Sequence, residues 1–153
     1  MRIYLGLGTN LGDKELNLRV AVQKIEEWIG KVISLSAFYA TAPWGFQSDN
    51  NFLNAAAGVE TSLSPFDILE RTQRIEQEIG RLHKSHDGVY SDRLIDIDLL
   101  LYGDKILQDE RLSLPHPLMA ERKFVLEPLA EIAPDVVHPV LHKTIRELFL
   151  VLS

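Results

Sequence analysis

Apolar residues recur along this chain with two alternating periods, one near 2 and one near 3.6. Arg2–Gly8 (RIYLGLG) is a short, nearly continuous apolar run that reads as a buried strand. Leu18, Ala21, Val22, Ile25, Trp28 and Ile29 follow at helical spacing, with Asp13 as N-cap and Gly30 as stop. Val32–Thr41 is rich in β-branched and aromatic residues and predicts one strand. Pro43–Asn51 (PWGFQSDNN) has turn chemistry without a period, and Phe52–Thr61 returns to a strand. Ser64-Pro65-Phe66-Asp67 is a helix start, and the helix behind it carries Ile68, Thr72, Ile75, Ile79 and Leu82 on one face. His83–Asp92 is again unpatterned, Leu94–Tyr102 reads as a strand, and Gly103-Asp104 turns the chain into Lys105–Leu107. Beyond Pro115 the pattern predicts a helix near Pro117–Phe124 and a last one over Thr144–Leu152, begun by the capping box Thr144-x-x-Glu147.

The order to Tyr102 is therefore βαββαβ. It predicts an α+β, ferredoxin-like core: one antiparallel sheet with helices packed on one face, plus a C-terminal hairpin and helical extension. Residues 1–153 read as a single domain, with no repeat or linker. Such a fold hosts many functions, so function must be read from the site.

Composition narrows the classes. The 153 residues carry 16 Lys+Arg against 22 Asp+Glu, a formal charge of −6, which argues against a general nucleic-acid binder. Cys is absent, which removes disulfides, thiolate metal sites and thiol nucleophiles. No signal peptide or membrane-length apolar run is visible, so a cytoplasmic protein without membrane partners is expected. Gly6-x-Gly8 breaks the dinucleotide-loop spacing, because position 11 is Leu11 and Gly12 comes one residue late. Gly12-Asp13-Lys14-Glu15 is no phosphate loop of the Gly-Lys-Ser/Thr kind, so Gly8–Asp13 reads as a tight strand-to-helix turn. The five histidines show no zinc spacing; His138 and His142 read as surface or packing residues.

One motif carries chemistry. Asp96-Ile97-Asp98 lies inside an apolar strand, so both carboxylates share a face while Ile95, Ile97 and Leu99 take the other. Adjacent carboxylates repel and are costly to desolvate, and a hard divalent cation relieves both penalties. Taken alone, Asp-x-Asp more often marks an exposed strand face paired with Lys or Arg. Cations crowd around it, however: Arg71, Arg74, Arg81, Lys84 and Arg93 before, Arg111, His116, Arg122 and Lys123 after. Together these suit a polyphosphate held by metal and guanidinium groups. Phe52 and Phe124 stand beside polar or flexible chain and Trp44 sits in a loop; core packing is the commoner reason for any one such ring, and a flat heterocycle sandwiched between two of them is the functional alternative. Asn54 shares a strand face with Phe52 and could read a pterin or purine edge.

With these residues assembled, the chain resembles the 6-hydroxymethyl-7,8-dihydropterin pyrophosphokinases of folate biosynthesis. The carriers are Gly8–Asp13, Phe38–Gly45, the FLNAA stretch from Phe52, Thr72–Arg81, Arg93–Gly103 and Arg111–Pro134. The resemblance implies transfer of pyrophosphate from MgATP to the pterin hydroxymethyl group, with AMP released. It also implies two Mg²⁺ ions on Asp96 and Asp98, and pterin contacts from Thr41, Pro43, Trp44, Phe52, Asn54 and Phe124. ATP contacts fall to Gln73, Glu76, Lys84, Arg111, Ser113, His116 and Arg122, and Arg81 and Arg93 act on the phosphates as catalytic residues. ATP and the pterin are thus the expected partners, and the enzyme is expected to be a monomer. The loop His83–Asp92 departs from the Arg…Trp-Gly-Pro-Arg pattern of many relatives; only the closing Arg93 is retained, with Tyr90 as a candidate lid aromatic and Lys84 preferred over His83 for ATP. The alternatives are another ATP-dependent phosphotransferase acting on a flat heterocyclic alcohol, and a ferredoxin-like module that senses nucleotide or pterin without catalysis.

Overall fold

The structure is a computed structural model describing residues 1–41, 51–82 and 94–153, except the side chains of Arg81 and Leu82. Pro43, Trp44, Lys84, Tyr90 and Arg93 lie outside the described residues, as does the side chain of Arg81.

The chain runs β1 (Arg2–Thr9), α1 (Lys14–Trp28), β2 (Lys31–Leu35), β3 (Tyr39–Thr41), β4 (Phe52–Glu60), α2 (Pro65–Leu82) and β5 (Asp96–Tyr102). A short hairpin follows, β6 (Leu107–Gln108) with β7 (Ser113–Leu114), then a 3-10 turn at Met119–Glu121, α3 (Lys123–Ile132) and α4 (Ile145–Leu152). The main sheet is antiparallel in the order β2-β4-β1-β5, with β3 also paired to β4, which is the expected split-βαβ arrangement.

Local chemistry explains the helix ends. The Asp13 carboxylate accepts from Leu16 N at 3.1 Å, and the Ser64 hydroxyl accepts from Asp67 N at 3.2 Å, each satisfying an N–H that the first turn leaves unpaired. Thr144 and Glu147 form the full reciprocal box, with bonds of 2.9 and 3.1 Å.

The strand expected over Val32–Thr41 is two strands. At the break, Ser36 N donates to Ala56 O and Ala56 N donates to the Ser36 hydroxyl, both at 2.9 Å, so a side chain takes over part of the ladder. The helix expected near Pro117–Phe124 lies later, over Lys123–Ile132, and tolerates Pro128 because its packing face, with Leu126 and Leu129, is buried.

Two apolar layers sandwich the sheet. Ile3, Leu5, Leu7, Ala55, Ala57, Val59, Ile97 and Leu99 pack with Leu18, Ile25, Ile68, Ile75 and Ile79 of α1 and α2. On the other face Tyr4, Ala56, Leu100 and Leu101 meet Met119, Leu126, Leu129, Ile145 and Leu148. Helices therefore cover both faces, not one, because the C-terminal extension closes the second face. At the sheet end where β5 begins, that second layer gives way to a cavity between the strands and the start of α3, Phe124 and Val125.

His138 is buried, 5% exposed, and its Nδ1 accepts from Val140 N at 3.2 Å and Leu141 N at 3.0 Å. Burial, and then the neighbouring His142, push its pKa below the usual imidazole value. The native state thus binds this proton less readily than the unfolded chain, so the stability His138 contributes is complete above pH ~6.5 and is lost as pH falls through the lowered native value. Melting followed from pH 8 to 5 should show a drop of several degrees below pH ~6.5, on the order of 1 kcal/mol for the lost bonds. His138→Asn, whose side-chain oxygen can accept the same N–H groups, should flatten that dependence; an unchanged profile would remove His138 as its source.

Candidate active site

The open sheet end is built from two rows that cross three strands. Asn54 of β4, Gly8 of β1 and Asp96 of β5 lie opposite one another in the first row. Ala56, Gly6 and Asp98 form the second. Partners directly opposite in an antiparallel pair project to one face, so the amide and both carboxylates converge over a middle strand whose two residues have no side chain. The result is a cavity of about 150 Å³ lined by Gly6, Gly8, Phe52, Asn54, Asp96, Asp98, Leu100, Arg122, Phe124 and Val125.

Asn54 is 5% exposed, and its Nδ2 donates to the Thr41 hydroxyl oxygen at 2.8 Å. That bond sets the amide's orientation and leaves its carbonyl oxygen beside Gly8, only 2.9 Å from where a Cβ there would stand. Gly8→Ala should therefore displace the Asn54 amide and weaken binding of the pterin that the resemblance implies about tenfold, the worth of one buried hydrogen bond made to a ligand. Fluorescence titration of the pterin measures it, and a change below about twofold would break the link between Gly8 and Asn54.

Asp96 and Asp98 sit one strand repeat apart on the edge strand β5, Asp98 exposed and Asp96 half-buried. Between them Ile97 N donates to the Glu76 carboxylate of α2 at 2.8 Å, which fixes the outer edge of the strand. Among the described residues no group of three or more His, Cys, Asp or Glu side chains comes together as a metal cage. A two-carboxylate donor set fits Mg²⁺, which keeps several waters and takes further oxygens from substrate phosphates.

Arg122 follows the 3-10 turn, and its guanidinium lies 5.6 Å from the centre of the Phe124 ring, so one cation–π contact joins a cation and an aromatic ring on the wall of the cavity. His116 stands near both Asp98 and Arg122. Burial holds its pKa below the usual value, Asp98 opposes that shift, and Arg122 adds to it. Its Nδ1 accepts from Leu118 N at 3.2 Å, so the neutral ring carries its proton on Nε2 and offers a donor there. His116 and Ser113 also line a second cavity of about 560 Å³, with Leu114, Pro115, Val140 and Leu141. Arg111 stacks on Phe66 at the start of α2, 5.2 Å from the ring centre, while Gln73 is exposed farther along that helix.

The structure thus brings Phe52, Asn54, Asp96, Asp98, Arg122 and Phe124 around one cavity, with Thr41 bonded to Asn54 and His116 at its edge. Gln73, Glu76 and Arg111 follow α2 rather than line that cavity. Arg71 does not join the cationic group, because its guanidinium donates to Trp28 O at 2.7 Å and ties α2 to the end of α1. The floor glycines Gly6 and Gly8 carry no side-chain chemistry; their only mark in the sequence is a pair of glycines two apart in an apolar strand.

No helix among the described residues is long and apolar enough to cross a membrane. Residues 4–134 match the sequence model of the 7,8-dihydro-6-hydroxymethylpterin-pyrophosphokinase (HPPK) family. A 2-amino-4-hydroxy-6-hydroxymethyldihydropteridine pyrophosphokinase of Porphyromonas gingivalis is 48% identical over 139 residues, 90% of this chain and 93% of that protein. The Aquifex aeolicus protein of that name is 39% identical over 145 residues, 95% of this chain and 88% of its own. The Dictyostelium discoideum folic acid synthesis protein FOL1 is 39% identical over 148 residues, 97% of this chain but 22% of that protein. A crystal structure of Plasmodium falciparum HPPK-DHPS superposes with a TM-score of 0.80 at 19% identity, covering 99% of this chain and 43% of that one, which establishes the shared fold. With the fold, the cavity and these relatives in agreement, the chain belongs to the 7,8-dihydro-6-hydroxymethylpterin-pyrophosphokinase family.

Proposed function

We propose that this chain transfers pyrophosphate from ATP to the hydroxymethyl group of 6-hydroxymethyl-7,8-dihydropterin in folate biosynthesis, and that the cleft at the open sheet end is where it does so. The single observation that carries the placement is the convergence of Asn54, Asp96 and Asp98, through register with Gly8 and Gly6, between Phe52 and Phe124. The family acts as an ATP-dependent diphosphotransferase; the residue roles are our reading.

Phe52 and Phe124 hold the flat pterin by stacking, and Asn54, oriented by Thr41, reads its edge. Pro43 and Trp44 add further pterin contacts in the same reading. Asp96 and Asp98 would hold Mg²⁺, two ions in this reading, which would neutralise charge on the phosphates and on the transferring group. Arg122 and His116, both donors beside the carboxylates, bind phosphate oxygens, with Ser113, Arg111, Gln73, Glu76 and Lys84 on the nucleotide side. Arg81 and Arg93 stabilise charge as the substrate hydroxyl attacks the β-phosphorus in line and AMP leaves. No protein nucleophile is required, in keeping with a chain without cysteine.

Residues 1–153 act as one domain, a reading supported by two core layers that draw on elements from β1 to α4; a monomer in the cytoplasm completes the proposal. A single sedimenting species near 17.3 kDa tests the monomer. Incubation with MgATP and the pterin alcohol tests the activity: AMP must form in proportion to the pterin. ADP instead would make the chain an ordinary kinase, and nucleotide binding without turnover would favour the sensor.

A further inference from the structure

Two buried polar side chains beside the cleft take no part in the chemistry above. Thr9 ends β1 and Asn17 lies in the first turns of α1, and each is only 1% exposed. Asn17 Nδ2 donates to Leu11 O at 2.9 Å and reaches the Thr9 hydroxyl oxygen at 3.5 Å. The Thr9 hydroxyl in turn donates to the carbonyl of Leu94. Gly12, with φ of +65°, makes the turn, and a Cβ there would lie in ordinary contact, 3.9 Å, with both Asn17 Nδ2 and a Leu94 methyl. The turn, the amide and Leu94 are therefore one packed unit. Buried hydroxyl and amide groups are costly unless bonded, so these residues occupy their places for the bonds they make.

Their position gives the bonds a use. The β1–β5 ladder ends with Gly8 opposite Asp96, and β5 begins at Asp96. The Thr9–Leu94 bond ties the two segments together beyond that last rung, two residues ahead of the first carboxylate. On the other edge of β5 the tie is Glu76 to Ile97 N at 2.8 Å. An edge strand bearing two like charges on one face is inclined to fray at its entry, since that separates the charges.

We propose that Thr9 and Asn17 are positioning residues that hold Asp96 at the geometry of the carboxylate pair, acting through the carbonyl of Leu94. The proposal rests on the reading of Asp96 and Asp98 as metal ligands. Residues behind a metal ligand typically change metal affinity by about 10–100-fold when removed.

The test is calorimetric binding of Mn²⁺ to the full chain with a non-hydrolysable ATP analogue, alongside pterin affinity and amide exchange. Thr9→Val keeps the shape and removes the hydroxyl; it should weaken Mn²⁺ about tenfold and speed exchange at Ile95 and Asp96. Thr9→Ser restores the bond and should bind Mn²⁺ within about twofold of the parent, with pterin affinity steady in both variants. Asn17→Leu removes the donor to Thr9 and should cost about threefold, and it gives a second route should Thr9→Val fold poorly. Parent-like Mn²⁺ binding by Thr9→Val, or equal losses for Val and Ser, would overturn the proposal. So would a parallel loss of pterin affinity. Asp96→Asn separates the two levels: if it binds Mn²⁺ like the parent, the metal reading fails first, whereas a loss there beside a parent-like Thr9→Val removes the positioning role alone.

Discussion

Asp98→Asn is expected to cut pyrophosphoryl transfer by about a thousandfold or more while the chain melts within a few degrees of the parent. The side chain is exposed and faces the cavity opposite Gly6, so the amide fits its space without disturbing the core. It removes the charge that, on the proposed function, holds a cation. A metal-type contribution of about 4 kcal/mol to transition-state stability corresponds to roughly that factor. Asp96→Asn should act alike, because the two acids share one strand face. Turnover by single-cycle assay, with circular dichroism as the control for folding, checks both. Near-parent turnover in both variants would remove the carboxylates from the chemistry.

The second large effect concerns the rings. Phe52→Ala should weaken pterin binding by about 10–100-fold, since stacking a base on an aromatic side chain is worth about 1–3 kcal/mol. ATP affinity should change by less than about twofold, because Phe52 sits at the amide end of the cavity, two residues from Asn54, and Arg122 instead partners Phe124. Titration of each ligand in turn makes the comparison. Equal losses for pterin and nucleotide would mean that the ring supports the cleft as a whole rather than one substrate.

Where apolar periodicity and capping chemistry agreed, the fold was legible. Ile68, Ile75 and Ile79 form a helical stripe and are all buried, and the Thr144–Glu147 box starts α4 as its spacing implied. Ser36 hid the division of β2 from β3, because a serine that replaces a ladder bond looks like any polar residue in a strand. Pro128 hid α3: propensity disfavours proline inside a helix, and tertiary packing overrode it.

Asp96 and Asp98 were readable because strand alternation alone puts them on one face. Their convergence with Asn54 was not, since it depends on which strands become neighbours and in what register. Thr9 and Asn17 left a fainter trace. Asn17 lies on the stripe that continues through Ala21 and Ile25, all buried, and a polar residue on a buried stripe calls for a partner.

If the pterin hydroxyl attacks the β-phosphorus of ATP at the Asp96–Asp98 cleft, a label on that phosphorus reports it. With Mg²⁺ and the pterin alcohol present, the β-label should move quantitatively into the pterin product, leave unlabelled AMP behind, and stay in ATP when Asp98 is Asn. Label retained in ADP would mean γ-phosphoryl transfer and would rule out attack on the β-phosphorus, and β-label transfer that proceeds undiminished without the two carboxylates would rule out their part in it.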